Sequence, residues 1–557
     1  MGKSDVVNIS RKEFLELSGI ALLGSTLGLQ TLTSCEPAKV IQGQIVGANH
    51  AIGHLLRKAI SLPIHQSHQT KILIIGSGIS GLTAGYFLQK AGITDYEILE
   101  LESHIGGNST FGEDTSWRYP WAAHYLPIPS PENKELIEFL SENKIITGFD
   151  ENNLPIYDEY ALCFHPDERL FVKGFWQEGL IPNMDISDEE KAKIGAFLAK
   201  MNLFKEAKGN DQKWAFTIPL ANSSSDASFI DLDKISMKTW MEQNNFTAKP
   251  LHWYVNYCLL DDYGTSLSET SAWAGIHYFA SRKGKAANAK DDDVLTWSEG
   301  NGFLMKLLAK NQLKNIKTQR LAYQIEEKNG EISVDVYDWK TDKRENYRAE
   351  QVIWAVPQML RPYLMPQQKS DFIKDFSYSP WMVANIQTKP FDSGRGQALS
   401  WDNVIYEGNG LGYVVSNHQE LSQDQKTWQL TYYKPLVDTN PVDERKKAIV
   451  KTHEEWTKEV LNDLKKAHPK IEESILKIDI KLWGHAMIRP TIGFIHGSAR
   501  HEAQKSLNNK IHFAHSDLSG VSIFEEAFFH GAEVAKKIIS PRSIVNSPQS
   551  TLESVIW

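Results

Sequence analysis

Three glycines at positions 76, 78 and 81 are spaced as G-x-G-x-x-G directly after the apolar run Ile72–Ile75. At this spacing Gly76 permits a tight turn, Gly78 lets the backbone approach a pyrophosphate, and Gly81 allows a helix to pack closely on a strand. Free N–H groups and the positive end of the helix dipole would then bind the phosphates. The residues predicted to hold this group are Gly76, Gly78, Ile79, Ser80 and Gly81.

A carboxylate follows at the position where a ribose would lie. Tyr96–Leu99 predicts a second strand, and Glu100 stands directly after it. In a βαβ unit an acid at this point accepts hydrogen bonds from ribose hydroxyls. The glycine spacing alone also occurs in chance turns, but Leu82–Lys90 supplies the helix between the two strands. We therefore predict a nucleotide-binding βαβ unit.

Later segments distinguish a flavoprotein from a nicotinamide dehydrogenase, which shares the same fingerprint. The pair Gly106-Gly107 follows the acid and lets the chain pass close to a dinucleotide. Val352–Pro357 predicts a strand that ends in Ala-Val-Pro. Near the end, His512–Gly520 leads into the helical pattern of Phe524–Ala535. Each segment alone has an ordinary explanation as a turn, a strand or a helix cap, but their order and separation favour FAD.

Together these segments resemble the flavin amine oxidase and phytoene desaturase superfamily, over about 65–130, 290–390 and 480–540. The resemblance implies that Asp517 binds the ribityl–pyrophosphate region, that Ala322 reaches adenine through its backbone, and that Trp121–Tyr125 passes beside the isoalloxazine ring. No cysteine aligns near the ring, so we expect noncovalent FAD. The cofactor-binding residues implied beyond the fingerprint are Glu100, Gly106, Gly107, Ala123, Ala322, Asp517, Ile523 and Ala527.

The chain departs from this family at positions that amine oxidation uses. The resemblance implies a lysine that holds a water against the flavin and two aromatic side chains that cage the substrate amine. Alignment on Lys389–Phe391 places Met382 at the lysine position and Ile523 at one cage position. We therefore expect the lysine and the cage to be missing, which argues against an ordinary amine oxidase.

Four polar residues are candidates for catalysis. His485 and Arg489 directly precede the last cofactor segment; an imidazole titrates near neutral pH, and a guanidinium can hold a carboxylate or phosphate. The alternatives are a histidine hydrogen-bonded in the core and an arginine covering a helix end. His124 and Tyr125 are predicted to face the ring.

The elements that must position these residues predict an α/β fold with a Rossmann-like FAD-binding domain of glutathione-reductase type and a discontinuous α+β substrate domain. The predicted FAD-binding segments are 69–130, 291–384 and 481–540. The predicted substrate segments are 131–290 and 385–480, with a signal at 1–35, a linker at 36–68 and a tail at 541–557. Amphipathic runs at Asn133–Asn143 and Ser187–Asn202 predict helices, and Trp428–Tyr433 predicts a strand.

One aromatic stretch, Trp253–Tyr263, fits either core packing or a substrate pocket. Asp261 and Asp262 are adjacent within it, but neighbouring residues of a helix or strand point in different directions. We therefore do not predict a catalytic dyad there.

Composition excludes several functional classes. At 557 residues the chain is too long for one core. The net charge of −9 and the absence of a long basic run argue against a nucleic-acid-binding surface. The Cys and His spacing predicts no metal site. Cys163 and Cys258 are either two buried thiols or one disulfide.

The first 35 residues resemble a bacterial export signal. Ser10–Leu15 is similar to a twin-arginine motif with Lys12 in place of the second arginine. Leu32–Cys35 resembles a lipoprotein box, which would make Cys35 the lipidated first residue. The alternative is an amphipathic N-terminal helix. We predict an exported protein on the periplasmic side of the cell envelope, held there by a lipid anchor.

These features predict a FAD-dependent oxidoreductase that transfers a hydride from a small organic substrate to flavin N5. The alternatives are a flavoprotein with non-redox isomerase chemistry and an envelope-tethered, FAD-stabilised binding or assembly protein. The predicted partners are the small-molecule substrate and, through Cys35, a membrane. The residues leave the substrate, the electron acceptor and the oligomeric state open.

Overall fold

Residues 41–58, 60–114, 117–420 and 425–546 are described by a computed structural model of the chain. The predicted signal with Cys35 and the last residues of the predicted tail lie outside the described residues. The strands are β1 Ile45–Gly47, β2 Ile64–Ile75, β3 Tyr96–Leu99, β4 Phe111–Glu113, β5 Arg118–Pro120, β6 Tyr125–Pro127, β7 Ile146–Phe149, β8 Pro155–Tyr157, β9 Glu168–Val172, β10 Phe175–Glu178, β11 Val294–Thr296, β12 Ile316–Lys317, β13 Arg320–Lys328, β14 Glu331–Asp338, β15 Lys343–Trp354, β16 Tyr378–Thr388, β17 Asp402–Ile405, β18 Tyr413–Val415, β19 Trp428–Pro435, β20 Ile475–Ile488 and β21 Ile511–Phe513.

The α-helices are α1 His50–Gly53, α2 Ile79–Lys90, α3 Lys134–Glu142, α4 Asp188–Lys205, α5 Ala227–Ile230, α6 Met237–Gln243, α7 Lys249–Tyr263, α8 Ala272–Ala280, α9 Gly302–Ala309, α10 Arg361–Leu364, α11 Pro441–Val450, α12 His453–Ala467, α13 Ile471–Ser474, α14 Ser498–Gln504 and α15 Phe524–Asn546. Short 3-10 helices are His54–Arg57, Gly107–Ser109, Leu220–Asn222, Asp231–Lys234, Leu313–Asn315, Gln358–Leu360, Asp371–Asp375 and Ser516–Leu518. The helices predicted from Asn133–Asn143 and Ser187–Asn202 are confirmed as α3 and α4.

The predicted parallel strand lies at the centre of a seven-stranded sheet. Its strand order is β12-β3-β2-β15-β14-β13, with β21 also pairing to β15. β2 runs parallel to both β3 and β15, so Ile72–Ile75 is buried on both faces. A strand in that position requires a continuous apolar run. Asn329 and Gly330 form the turn between the antiparallel strands β13 and β14.

A second sheet of eight strands has the order β1-β20-β16-β19-β18-β17-β9-β10. One of its faces packs on α12, where Trp456 and Leu464 are buried. The other face carries an aromatic cluster that includes Trp381 and Trp483, which lie opposite each other on β16 and β20. The sheet therefore presents an aromatic surface toward the rest of the chain, beside the nucleotide-binding sheet.

The last long helix returns the C-terminal segment to the glycine fingerprint. α15 packs against α2, and a side chain at Gly531 would lie 2.4 Å from the carbonyl oxygen of Ser80. Only glycine permits this approach. The close packing places the residues before α15 next to the end of β2.

Part of the predicted linker has regular structure. Residues 45–57 form β1, α1 and a 3-10 turn, and β2 begins at Ile64, well before the apolar run. β1 pairs in parallel with Ile480–Leu482 of β20. The Gly, His and Gln residues of this segment follow neither helical nor strand periodicity, so the sequence did not predict these short elements.

The α/β class and the Rossmann-like nucleotide domain are confirmed, whereas the domain boundaries stay predictions. Cys163 and Cys258 are free thiols. Among the described helices, none combines the length and apolarity needed to cross a bilayer.

Candidate functional site

A cavity of about 1360 Å³ runs between the two sheets. At one side it is lined by Glu100, which directly follows β3, and by Ala322 of β13; at the other it is lined by Trp381 and Trp483 of the eight-stranded sheet. Pockets for ordinary small ligands measure roughly 300–1,000 Å³. The size and elongated course of this cleft suit a dinucleotide.

The cleft brings together most of the cofactor-binding residues predicted from sequence. Those that line it are Gly76, Gly78, Ile79, Ser80, Glu100, Gly106, Gly107, Ala123, Ala322, Asp517, Ile523 and Ala527. Gly81 does not line it, because it packs inward against the turn. Of the four catalytic candidates, His485 lines the cleft and the other three do not.

The three fingerprint glycines have different surroundings. Gly76 adopts φ +101°, and a side chain there would lie 2.6 Å from the Ala355 carbonyl oxygen. A side chain at Gly81 would lie 1.9 Å from the Gly76 carbonyl oxygen. A Cβ on Gly78, in contrast, would meet no atom within 4 Å and would project into open space. Gly107 faces it, with its Cβ position 3.4 Å from the Gly78 Cα. This open gap between two backbones is the space that a pyrophosphate would fill.

Glu100 is held by hydrogen bonds on both oxygens. Its Oε2 accepts from the backbone N–H and hydroxyl of Ser77, at 3.0 and 2.6 Å, and its Oε1 accepts from the Glu102 N–H at 2.9 Å. Burial raises the pKa of Glu100, and these donors act in the opposite direction. The carboxylate is thus fixed at the wall of the cleft, where its remaining lone pairs can accept from ribose hydroxyls.

Asp517 is fixed in a comparable way on the opposite wall. Its Oδ2 accepts from the backbone N–H of Gln358 at 2.8 Å and from the Tyr378 hydroxyl at 2.5 Å. Its Oδ1 lies 3.0 Å from His515 Nδ1. Although burial acts to raise the pKa of Asp517, the charge and hydrogen bond of His515 and the other two donors lower it overall. The residue therefore stays an anion beside the cleft.

His485 lines the cleft, but its titration is displaced. Burial lowers the pKa of its imidazole to about 4, and the positive charge of Arg445 acts in the same direction. The ring packs edge-on against Tyr378 at 5.9 Å. At neutral pH His485 is thus neutral, so it can accept a proton but does not supply one as an imidazolium. Titration near working pH, on which its predicted role was based, is not found.

Arg489 does not enter the cleft. Its guanidinium, with a side chain 6% exposed, forms an ion pair with Glu269 at 2.6 Å and donates to the Ser377 hydroxyl at 3.3 Å. Its charge is already compensated within the protein, so the bidentate substrate contact predicted from sequence is not formed by this residue.

His124 and Tyr125 follow the cleft-lining Ala123 and face a second region. His124 stacks on Tyr433 with ring centroids 4.6 Å apart, and burial lowers its pKa to about 4. The Tyr125 hydroxyl donates to Asp262 at 3.1 Å, and Asp262 also binds Arg282 at 2.8 Å. The two residues therefore connect the cleft to the interior of the substrate region.

That interior holds three carboxylates that sequence reasoning did not connect, Glu168, Asp261 and Asp402, hereafter the acid cluster. All three are half-buried, and in the described part of the chain none forms an ion pair with Lys, Arg or His. Burial and then the Asp262 charge raise the pKa of Asp261 to about 7. Burial and then the Asp167 charge raise that of Glu168 to about 7.

Asp402 completes the acid cluster and joins it to aromatic rings. Burial raises its pKa well above the usual value, and the charges of Asp261 and Glu168 raise it further. Tyr257 donates its hydroxyl to Asp402 at 3.3 Å. Tyr433, which stacks on His124, donates its hydroxyl to the Ala122 carbonyl at 3.1 Å. Burial raises the pKa of Tyr433, and the charges of Asp261 and Asp402 raise it further. The aromatic stretch of α7 thus contacts the acid cluster as well as packing in the core.

The acid cluster is assembled from β9, α7 and β17, so no local pattern in the sequence indicates it. Asp261 and Asp262 indeed make different contacts, as expected for neighbours on a helix. Met382, which aligns with the lysine position of the family, is fully buried in the core and does not line the cleft. A different lysine, Lys481, is buried between Trp121 and Trp483, where burial lowers its pKa to about 8.

The residues present fit FAD. The open gap at Gly78 and Gly107 suits a pyrophosphate, Glu100 suits a ribose, and the cleft continues past Asp517 to Trp381 and Trp483. In the described residues no group of three or more His, Cys, Asp or Glu side chains is placed to hold a metal ion.

Comparisons with known proteins agree with this geometry. Residues 74–142 match the NAD(P)-binding Rossmann-like domain family. Polyamine oxidase 7 of Oryza sativa subsp. japonica is 60% identical over 37 residues, which are 7% of this chain and 8% of that protein. The match thus covers a small part of that relative's length.

Solved structures match over most of the chain. A putrescine oxidase bound to putrescine has a TM-score of 0.60 at 15% identity, covering 85% of this chain and 100% of that one. Cyclohexylamine oxidase from Brevibacterium oxydans IH-35A gives 0.61 at 14%, covering 85% and 99%. A CLA-producing fatty acid isomerase from P. acnes gives 0.58 at 17%, covering 84% and 98%. The predicted resemblance to the flavin amine oxidase superfamily is therefore confirmed at the level of the fold.

Proposed function

We propose that this protein is a FAD-dependent oxidoreductase whose substrate is a small organic amine bound as a cation. The observation that carries the proposal is the position of the acid cluster near the cofactor cleft. Ala123 lines the dinucleotide-sized cleft, while its neighbours Ala122 and His124 both contact Tyr433. The charges of Asp261 and Asp402 act on Tyr433, so the unpaired acid cluster lies close to that segment.

FAD, when bound, accepts one hydride, which carries two electrons, from an organic substrate. The chain's own residues hold the cofactor and orient the substrate. The glycine gap and Glu100 would hold the nucleotide, while Trp381, Trp483 and Ile523 would enclose the far end of the cleft. Their apolar surface excludes water from that end.

Charge favours a cationic substrate. Burial is the main reason why the pKa values of these three carboxylates are raised, and the charges of neighbouring carboxylates raise them further. An ammonium group placed among them would stabilise the charged carboxylates and lower these pKa values. The faces of Tyr257, Tyr433 and Trp401 beside the acid cluster add cation–π attraction. This arrangement would take the place of the paired-aromatic cage, which we expect to be missing from this chain.

The names of the matched proteins support the same chemistry. Putrescine and cyclohexylamine are amines, and the proteins named after them share this fold. The match to an isomerase keeps non-redox flavin chemistry as the alternative, and the experiment must distinguish it from amine oxidation. Export and lipid anchoring at Cys35 remain part of the proposal, on the sequence pattern alone.

The experiment is an absorbance spectrum of the purified protein, followed by anaerobic addition of primary amines. Alcohols and carboxylates of the same carbon skeleton serve as the matched neutral and anionic compounds. We expect flavin bands that bleach with an amine. Asp261→Asn should raise the half-saturating amine concentration about tenfold, since it removes one charge partner. Asp438→Asn, on an exposed residue, is the control and should leave it unchanged.

Bleaching by alcohols or carboxylates but not amines would reject the cationic substrate while keeping the oxidoreductase. A flavin that never bleaches but isomerises an unsaturated substrate would favour the non-redox alternative. A purified protein that holds no flavin, even after reconstitution, would reject the proposal as a whole.

A further inference from the structure

The N-terminal segment Ile45–Arg57, here called the strap, crosses the cofactor cleft. It starts as β1 on the edge of the eight-stranded sheet and continues through α1 and a 3-10 turn toward the nucleotide-binding sheet. Ten strap residues line the cleft, namely Ile45, Gly47, Ala48, Asn49, His50, Ala51, Gly53, His54, Leu56 and Arg57.

The strap is attached at both of its ends. Its β1 pairs with β20, while the backbone N–H of Asn49 donates to Glu102 Oε1 at 2.6 Å. Leu56 packs against the hydrophobic core of the nucleotide-binding sheet, as Met359 and Leu360 do. Because it is held by both sheets, the strap has a defined position over the cleft rather than being a loose lead into β2.

Basic side chains are concentrated where the strap faces the cleft. His50, His54 and Arg57 belong to the strap, and the rings of the two histidines are 5.8 Å apart. Arg445 of α11 approaches from the other side and donates to the carbonyl oxygens of Tyr378 and Gly484, at 3.1 and 3.4 Å. Burial lowers the pKa of the cleft-lining His485, and the charges of Arg445, His54 and Arg57 lower it further.

The two arginines of this region, Arg57 and Arg445, have no anionic partner among the described residues. Across the described part of the chain, no carboxylate forms an ion pair with Arg57 or with Arg445. Burial lowers the pKa of Arg445, and burial followed by the Arg57 charge lowers that of His54. The region is therefore electropositive and gains from an anion.

The basic residues and the glycine gap line the same cleft. Asn108, which follows Gly107, donates its side-chain N–H at 2.6 Å to the carbonyl oxygen of Ala486, which follows His485. Gly107 in turn faces Gly78 across the open gap. The gap assigned to the pyrophosphate therefore opens into the cavity that Arg57 and Arg445 also line.

We propose that the strap is part of the cofactor site, that Arg57 and Arg445 neutralise the diphosphate of the bound dinucleotide, and that the neutral imidazole of His54 donates a hydrogen bond to it. This inference rests on the proposed FAD site. A guanidinium is suited to phosphate oxygens, since it offers several N–H donors in one plane. The strap would then both cover the cofactor and retain it by charge.

The test measures FAD release from the purified holoprotein, followed by the rise in fluorescence as free FAD appears. Arg57→Gln removes an exposed charge, so folding should be unaffected. We expect release about tenfold faster than wild type at low salt, because one charge-assisted contact is lost. The difference should shrink near 1 M salt, where screening acts within about 3 Å. His54→Gln combined with Arg57→Gln should release FAD faster still.

Lys58→Gln is the matched control, since it removes the same charge from the next residue, which does not line the cleft. It should release FAD at the wild-type rate. If Arg57→Gln and the double variant also release FAD at the wild-type rate at low salt, the proposal is overturned. A wild-type protein that holds no FAD is a separate result, since it rejects the proposed function before the strap is tested.

Discussion

The two ends of the site handle negative charge in opposite ways. At the nucleotide end Glu100 and Asp517 are fixed by two or more donors each, and both line a cleft that backbone groups have shaped. At the substrate end the acid cluster has no cationic partner in the described residues. The nucleotide end is preorganised for a ligand that keeps one geometry. At the substrate end the carboxylates have raised pKa values and no cationic partner, so a cationic ligand would supply the missing charge compensation.

The largest expected effect comes from blocking the nucleotide end. Gly78→Leu projects a side chain into the open gap, with no clash in the protein and an ordinary φ of −70°. We expect FAD affinity to fall more than about a hundredfold, or by roughly 3 kcal/mol, while the melting temperature of the flavin-free protein stays the same. Flavin content after dialysis and a thermal melt measure the two effects. A fully yellow variant would contradict the assignment of the gap.

A neighbouring glycine should behave differently. At Gly81 an added Cβ would lie 1.9 Å from the Gly76 carbonyl oxygen. Gly81→Ala should therefore destabilise the fold by about 1–3 kcal/mol through overpacking, and flavin loss should follow unfolding rather than precede it. Denaturant titration of the flavin-free form gives the stability change. An unchanged midpoint would show that the turn can shift to make room.

A smaller effect is expected from pH at the substrate end. Asp261 and Glu168 have pKa values of about 7, so both become ionised as the pH rises from about 6 to 8. An amine of ordinary pKa near 10 stays protonated over that range. The half-saturating amine concentration should therefore fall about tenfold as the pH rises. Binding that weakens as the pH rises would contradict the cationic substrate.

The smallest effect is predicted for Arg489→Gln. This residue pairs with Glu269, whose side chain is 47% exposed, and does not line the cleft. Loss of such a pair lowers the free energy of unfolding by about 1 kcal/mol. FAD content and amine binding should match wild type. Weakened binding of a carboxylate substrate would restore the role first predicted for this arginine.

The sequence predicts the nucleotide end well because its determinants are local. The strand before Gly76, the helix after it and the strand Tyr96–Leu99 were all predicted, and they lie within one short stretch of chain. Glycine spacing there reflects backbone contacts that few other residues tolerate. The helix start at Ser187 was also predictable, since its capping box with Glu190 is a local hydrogen-bond pattern.

The substrate end and the strap were not predictable in the same way. Glu168, Asp261 and Asp402 come from three distant elements, and only the tertiary fold brings them together. β1 has three residues, too few for an alternating pattern, and its pairing partner lies near the other end of the chain. Arg489 was assigned to the substrate by its position in sequence, whereas the fold supplies Glu269 as its partner.

The pairing of β1 with β20 also bears on the order of assembly. Gln44, just before β1, donates its backbone N–H to Asp479, a contact that joins residues 435 positions apart. Contacts of such long sequence separation form late, because loop-closure entropy opposes them until the rest of the chain is ordered. During synthesis β1 emerges early but must wait for β20. Leu482 and Trp483 of β20 also line the cleft, so the strand that β1 must wait for is the one that completes the cleft wall.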